Sequence, residues 1–473
     1  MRETHVENTP QTFPVATGKC PNACEAQLWC GRWRLLKKTP LPHRPPLCMP
    51  PHVLRPKRTV YEPNLAIRAG LFVTVKQRAS FARARDRWLA VSYKSITYYQ
   101  SSTLRRPKSP PLLDMVSVIL SIKASERLDS RGNPTVQVRM TTDQGLFDSI
   151  VPSGASKGNY EAVELRDGES SRYHGKGVLK AVHNVNSRLT PAIIAADLDP
   201  ATQLKEIDHL MMKIDGTEDK SNMGANAILG ISMAAARAGA AKCRIPLYRF
   251  LAREAGREDQ TAALPVPFMN VLNGGDHSGN TMAFQEFMIA PVGAQSVTEA
   301  VRLNSETYAC LKRIITVKYG KSAIGIGDEG GFAPPIYRPE EALDLLVQAI
   351  VEAGHEGKIK IGIDPASQSF EENGNYNIGF KTSGSEVMSG EQLAKLYHSL
   401  LAKYPIILLE DPFGQDDWST WTEFNKSCRV ELVGDDLLAT NIKRISLAEE
   451  RHACNSILLK INQIGTITES IEA

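Results

Sequence analysis

Three short apolar runs in this 473-residue chain each end in an acid, and a fourth ends in a lysine. Residues 359–363 precede Asp364, 406–409 precede Glu410, 430–434 precede Asp435 and 457–459 precede Lys460. Parallel barrel strands collect their chemistry at their C-terminal ends, so the pattern reads as an active site. A single strand-end acid is ordinarily a solvated terminus or a helix cap. Three on successive strands converge at one mouth, where like charges repel strongly in a low-dielectric cleft. A cation must compensate, and an all-oxygen donor set favours Mg²⁺ before zinc, so Asp364, Glu410 and Asp435 are expected to bind Mg²⁺. A buried lysine beside metal cations has its charged form disfavoured, which lets Lys460 act as a base near neutral pH. The competing reading of Lys460 is a salt bridge to one of those acids.

Other loops add parts. Residues 153–158 (Ser-Gly-Ala-Ser-Lys-Gly) form a flexible, hydroxyl-rich loop able to close over a ligand, although such loops are more often ordinary turns. Residues 272–277 (Leu-Asn-Gly-Gly-Asp-His) lead to Gln285 and Glu286. Residues 327–331 (Gly-Asp-Glu-Gly-Gly) set Glu329 between glycines that let backbone approach a ligand.

The elements that must position these residues follow from period and punctuation. Residues 116–125, 135–142 and 146–151 are β-rich and separated by turn-forming sequences, which predicts an antiparallel three-stranded meander. Residues 225–242 are rich in alanine and predict a closely packed helix. After about Leu264 strands alternate with helices. Pro339-Glu340-Glu341 suits a helix N-terminus, Leu343, Leu346 and Ile350 share a face, and Gly354 stops it. Residues 391–404 predict a second amphipathic helix. Asp364 lies 46 residues before Glu410, and intervals of 25 residues lead to Asp435 and then to Lys460. This alternation predicts a parallel sheet, closed as a barrel rather than open.

Charge divides the chain. Residues 1–114 carry a net charge of +14 and half of the 28 prolines, whereas residues 115–473 carry −10. The leader reads as mostly disordered. Its Cys20, Cys24 and Cys30 lack a paired zinc knuckle and read as unpaired thiols, and the arginine-rich residues 64–91 only faintly resemble a transit peptide. Untranslated or misjoined sequence is the plainer reading of residues 1–114. An acidic body repels nucleic acid. No run of about 18 apolar residues exists, so no membrane span is expected. Scattered Cys243, Cys310, Cys428 and Cys454 fit reduced thiols of a cytoplasmic protein.

From Met115 to Ala473 the chain closely resembles the enolases, glycolytic phosphopyruvate hydratases. Six strings carry the resemblance: SGAS at 153–156, NGG-x-H at 273–277, QEFMIAP at 285–291, GDEGG at 327–331, EDPF at 410–413 and LLK-x-NQIGT at 458–466. It implies an α/β chain in three parts. A basic leader (1–114) precedes an N-terminal α+β capping domain of meander and helices (115–258) and a TIM-like barrel lacking its last two strands (259–473). The reaction implied is a lyase reaction, reversible dehydration of 2-phosphoglycerate to phosphoenolpyruvate. Lys460 would remove the C2 proton, and Glu329, supported by Glu286, would protonate the leaving C3 hydroxyl. Two Mg²⁺ ions would stabilise the aci-carboxylate intermediate. Asp364, Glu410 and Asp435 would hold the first ion and Ser156 would help hold the second. His277 and Gln285 would lie on the substrate side. The resemblance also implies a homodimer.

The chain departs from the family in places. Lys157 and Tyr160 stand where threonine and histidine are usual, and Pro365 follows Asp364 where a small residue is expected. The chain ends 13 residues after Lys460, and no His-Arg-Ser string occurs in it. In the family that cluster grips the phosphate and carboxylate, and its loss costs several kcal/mol of substrate binding. The chain as written is therefore expected to be unstable and essentially inactive, with two unpaired sheet edges. The alternative is a non-catalytic homologue acting as a binding protein. A sugar-acid or muconate enzyme of the wider superfamily would use Lys358 and Lys360, but these lie at the wrong end of their strand.

Overall fold

The computed structural model describes Phe72–Val73 and residues 119–473, Ala155 excepted. Three strands open the capping domain: β2 (Ile119–Leu128), β3 (Pro134–Thr142) and β4 (Gly145–Ile150), following β1 (Phe72–Val73). They form the expected antiparallel meander, in the order β2-β3-β4. The first turn is closed by Asp129, whose Oδ1 accepts the N–H groups of Arg131 and Asn133 at 2.8 and 2.9 Å. Val136, Val138 and Met140 alternate onto the inner face of β3 and are fully buried. They pack with the helix Ala225–Lys242 in one apolar cluster. Gly230 permits that approach, because a Cβ there would stand 2.6 Å from Val138 Cγ2.

The second sheet carries the site. Its strands are β5 (Met269–Asn273), β6 (Glu286–Ala290), β7 (Lys360–Asp364), β11 (Ile406–Glu410), β12 (Glu431–Gly434) and β13 (Ser456–Leu458). Their spatial order is β1-β13-β12-β11-β7-β6-β5. The expectation of an all-parallel sheet needs correction. β7, β11, β12 and β13 are parallel neighbours, but β6 is antiparallel to both β5 and β7. The chain leaves β5 through a loop that returns on the same edge without a crossover helix, and strand periodicity does not encode that direction. The consequence is functional, since Glu286 reaches the mouth from the start of a strand rather than its end. Among the described residues the sheet ends at β5 and β1, in keeping with the expectation of an incomplete barrel with open edges. Within the leader, β1 pairs antiparallel with β13; the remaining leader readings, including the cysteine and transit-peptide ones, lie outside the described residues.

Helices back this sheet as the sequence predicts. Pro339–Glu352 begins with Glu341 accepting the N–H groups of Tyr337 and Arg338, both at 2.9 Å. Gly390–Lys403 begins with a reciprocal Ser389–Gln392 cap. Between β7 and that helix the chain forms a small antiparallel sheet of β8 (Glu371–Glu372), β9 (Asn375–Asn377) and β10 (Val387–Ser389). Cys243, Cys310, Cys428 and Cys454 are free and half-buried. No helix among the described residues is long and apolar enough to cross a membrane.

The helix Ile467–Glu472 ties the barrel sheet to the cap. Ile467 N donates to Ser232 Oγ at 2.9 Å, and Lys220, 2% exposed, pairs with Glu469 at 3.0 Å. Thr468 donates its N–H and hydroxyl to Asp208 Oδ2 at 3.1 and 2.7 Å. Burial raises the Asp208 pKa to about 6. An acid whose folded pKa lies above its unfolded value near 3.9 adds stability at low pH, lost as pH rises between about 4 and 6. That span corresponds to about 3 kcal/mol. Relative to Asp208→Asn, the unfolding free energy of the unmodified chain should fall by about this amount between pH 4 and 7. Denaturant titrations giving parallel pH profiles for the two proteins would contradict it.

Candidate active site

Strand register sets the site. Asn273 at the end of β5 is paired with Glu286, and Glu286 with Asp364. Leu409 lies beside Ile363, which places Glu410 at the level of Asp364. Glu410 pairs with Val433, so Asp435 lies two residues further along, and Gly434 pairs with Ile457, which carries Lys460 beyond it. The sheet thus brings Glu286, Asp364, Glu410, Asp435 and Lys460 to one mouth.

Two of the acids there, Asp364 and Glu410, are buried and resist ionisation. Burial, then Glu410, Asp411 and Asp435, push the Asp364 carboxyl well above its ordinary range. Burial, then Asp435 and Glu286, do the same to Glu410. Lys460 answers this charge. Its Nζ donates to Asp435 Oδ2 at 2.5 Å. Burial lowers its pKa, but the pull of Asp435, Glu410 and Glu286 outweighs it and leaves the ammonium harder to deprotonate than a free lysine. Lys460 thus stands ion-paired with Asp435, and positive charge brought to the neighbouring acids would loosen that hold on its proton.

Neighbours not assigned a role from the sequence complete the constellation. Asp411, Asp435 and Asp436 each place a carboxylate oxygen within 4.8 Å of the others, a spacing that could hold a metal. Asp411 is engaged otherwise. Its two oxygens accept the N–H groups of Asp435 and Asp436, at 2.9 and 2.6 Å. It therefore fixes the backbone that aims Asp435. Asp436 is raised to about 7, by burial and then by Asp435. Gln463, fully buried, donates to Asp435 Oδ1 at 2.6 Å while its own oxygen accepts from Thr440 at 2.9 Å. Glu161, raised by burial, accepts from Gly158 N and lies near Asp435 and Lys460. The sequence signals were the acid doublets at 410–411 and 435–436 and, for Gln463, its place in the 458–466 string.

A second pair lies across the mouth. Glu286 is buried and pushed well above its usual pKa, by burial first and then by Glu329 and Asp364. Asn273 Nδ2 donates to Glu329 Oε2 at 3.1 Å. Phe332 sews the Glu329 loop onto β5, by Phe332 N to Val271 O and Asn273 N to Phe332 O, both at 2.9 Å. Gly327 and Gly331 allow it, since a Cβ on either would fall within 2.8 Å of Asn273.

The remaining candidates are less central. His277 is buried in a short turn, Gly275–His277, with Asp328 3.9 Å from its Nδ1. Gln285 is also buried, and its carbonyl accepts from Gly274 N and Asn273 Nδ2, a structural role for its backbone. Ser156 is exposed and lines a cavity bordered by Glu161, Glu164, Asn226 and Asn462, which none of the three acids borders. Two residues on, Gly158 passes so close to the cluster that a Cβ there would lie 2.7 Å from Asp436 Oδ1. Tyr160 anchors the same loop: its hydroxyl donates to Asp416 at 3.0 Å and Arg444 stacks 3.7 Å from its ring. Lys157 is exposed. Pro365 is buried, with Ala366 left-handed (φ 49°) and its N–H given to Asp364 at 2.7 Å.

A capping domain set on a barrel-type sheet, whose strand ends gather acids around one lysine, defines an enzyme of acid–base chemistry. Comparison with known proteins makes this specific. Residues 119–251 match the enolase N-terminal domain and residues 261–473 the enolase C-terminal TIM barrel domain. Over 367 residues the chain is 53% identical to the enolase of Mastigamoeba balamuthi, covering 76% of this chain and 82% of that protein. The chain belongs to the enolase family, whose members are lyases.

The Lys460 ion pair gives a direct expectation. Asp435→Asn removes the strongest force holding the ammonium. Labelling of Lys460 by an amine-reactive reagent at pH 8–9, followed by mass spectrometry, should rise severalfold over the unmodified chain. Unchanged labelling would show that Asp435 does not control the lysine.

Proposed function

We propose that this chain carries the site for reversible dehydration of 2-phosphoglycerate to phosphoenolpyruvate, the glycolytic enolase reaction. The observation that carries the reading is the register that gathers Glu286, Asp364, Glu410, Asp435 and Lys460 at one mouth. Membership of the enolase family supports it.

The donor chemistry fits a hard cation. Asp364 and Glu410 are buried carboxyls raised by each other and by their neighbours, so a divalent ion there relieves a repulsion already present. Asp364, Glu410 and Asp435 would hold Mg²⁺, which when bound supplies positive charge to a substrate carboxylate as charge develops on it. A second ion, with Ser156 among its ligands, belongs to the same reading.

The chain's own groups then divide the proton work. Lys460, as the neutral amine, takes the C2 proton. Glu329 gives a proton to the departing C3 hydroxyl, which leaves as water. Glu286 stands behind Glu329, its pKa raised by burial and by that neighbour, placed to support it. His277 sits in the turn nearest the incoming substrate. A homodimer and a cytoplasmic location complete this reading; the free cysteines support a reducing compartment.

Solvent-exchange and turnover assays separate the roles. Lys460→Ala should abolish deuterium exchange at C2 and lower turnover by about 10²–10⁴-fold. Glu329→Gln should keep C2 exchange and lose dehydration to a similar degree. Exchange surviving Lys460→Ala would overturn the assignment of the base.

A further inference from the structure

The turn that carries His277 is tied down from a part of the chain far away in sequence. Lys381 Nζ donates to the carbonyl oxygens of Gly275 and Ser278, the second at 2.9 Å. These carbonyls flank His277 and lie 106 and 103 residues from the lysine. The Ser278 N to Gly275 O bond that closes the turn is 3.4 Å long, and nearby loops add Gly275 N to Met282 O at 2.9 Å and Asp328 N to His277 O at 3.1 Å. Lys381 reaches it from the β8–β10 region, on two carbonyls at once. Gly275 is left-handed (φ 57°), and no side chain fits at Gly274, where a Cβ would lie 2.2 Å from Phe284 O.

Lys381, by contrast, projects from a firm base. Phe380 before it stacks with Phe370, at a centroid distance of 6.0 Å. Tyr376 of β9 is fully buried and donates its hydroxyl to Asp417 Oδ2 at 2.7 Å. On the other side of the tip, Glu386 accepts from Tyr337 and Arg338, both at 2.8 Å. A lysine ammonium has three donors and no acceptor, and two of the three are used on one turn.

We propose that Lys381 is a positioning residue, which fixes the His277 turn to the β8–β10 sheet and so sets where His277 meets the substrate. The half-buried ammonium also adds positive charge next to a turn that faces an anionic ligand in the reading above, on which this inference rests.

Hydrogen–deuterium exchange of the peptide spanning residues 274–281 tests it, with Lys381→Met and Lys381→Arg beside the unmodified chain. Lys381→Met should speed exchange of this peptide at least severalfold, leave the peptides of β9 and β7 unchanged, and Lys381→Arg should restore most of the protection. In turnover, Lys381→Met should raise KM for 2-phosphoglycerate by about fivefold or more with kcat within about twofold, since it displaces a binding residue rather than the base or acid. Unchanged exchange of the 274–281 peptide, or failure of Arg to restore it, would overturn the inference. Faster exchange with an unmoved KM would also overturn it. If the unmodified chain turns over no 2-phosphoglycerate, the proposed reaction falls, and the exchange arm still decides the role of Lys381.

Discussion

Repulsion among buried carboxyls at one end of the second sheet is the constraint on which the rest depends. Asp364, Glu410 and Asp411 are each 4% exposed or less, and burial together with their neighbours raises all three. Such an arrangement is costly unless positive charge or hydrogen-bond donors are brought to it. The fold brings both. Lys460 pairs with Asp435, Gln463 donates to the other oxygen of Asp435, and two backbone N–H groups satisfy Asp411. Asp364 receives one backbone N–H, from Ala366, and Glu410 feels the charge of Lys460, yet both carboxyls stay raised. That remainder is what the proposed cation would offset.

The cap serves the same end. Its meander and the helix Ala225–Lys242 make an independent apolar core, and the helix Ile467–Glu472 joins that core to the barrel sheet. The loop after β4 can then reach the mouth. Ala162 N donates to Gln463 O at 2.7 Å, Asn159 N to Gln415 at 3.2 Å, and Tyr160 to Asp416. The far half of the loop is thus anchored on the barrel side while Ser156 lies in its exposed near half. The tyrosine that departs from the family pattern makes one of those anchors.

Much of this was legible in the sequence because strand ends are marked by a change from apolar residues to a single charge. Asp364, Glu410, Asp435 and Lys460 were readable for that reason, as were the meander and the helix Ala225–Lys242. The direction of β6 was not, since an apolar run reads the same both ways, and Glu286 therefore enters the mouth from an unexpected end. The place of Asp411 was hidden because its partners are backbone N–H groups, which leave no mark in side-chain chemistry. Lys381 was hidden by sequence distance alone. The pairing of Lys460 with Asp435 was one of the two readings its sequence position offered.

The central claim, that the raised carboxyls at the strand ends form a site for a hard cation, is tested most directly by calorimetric titration of Mg²⁺ into the protein near pH 7. Repeating it in two buffers of different ionisation enthalpy measures protons released. The account predicts binding accompanied by proton release, because a cation favours the ionised form of groups that resist ionisation without it, with affinity greatly weakened by Asp435→Ala. No binding, or binding without proton release and untouched by Asp435→Ala, would contradict it.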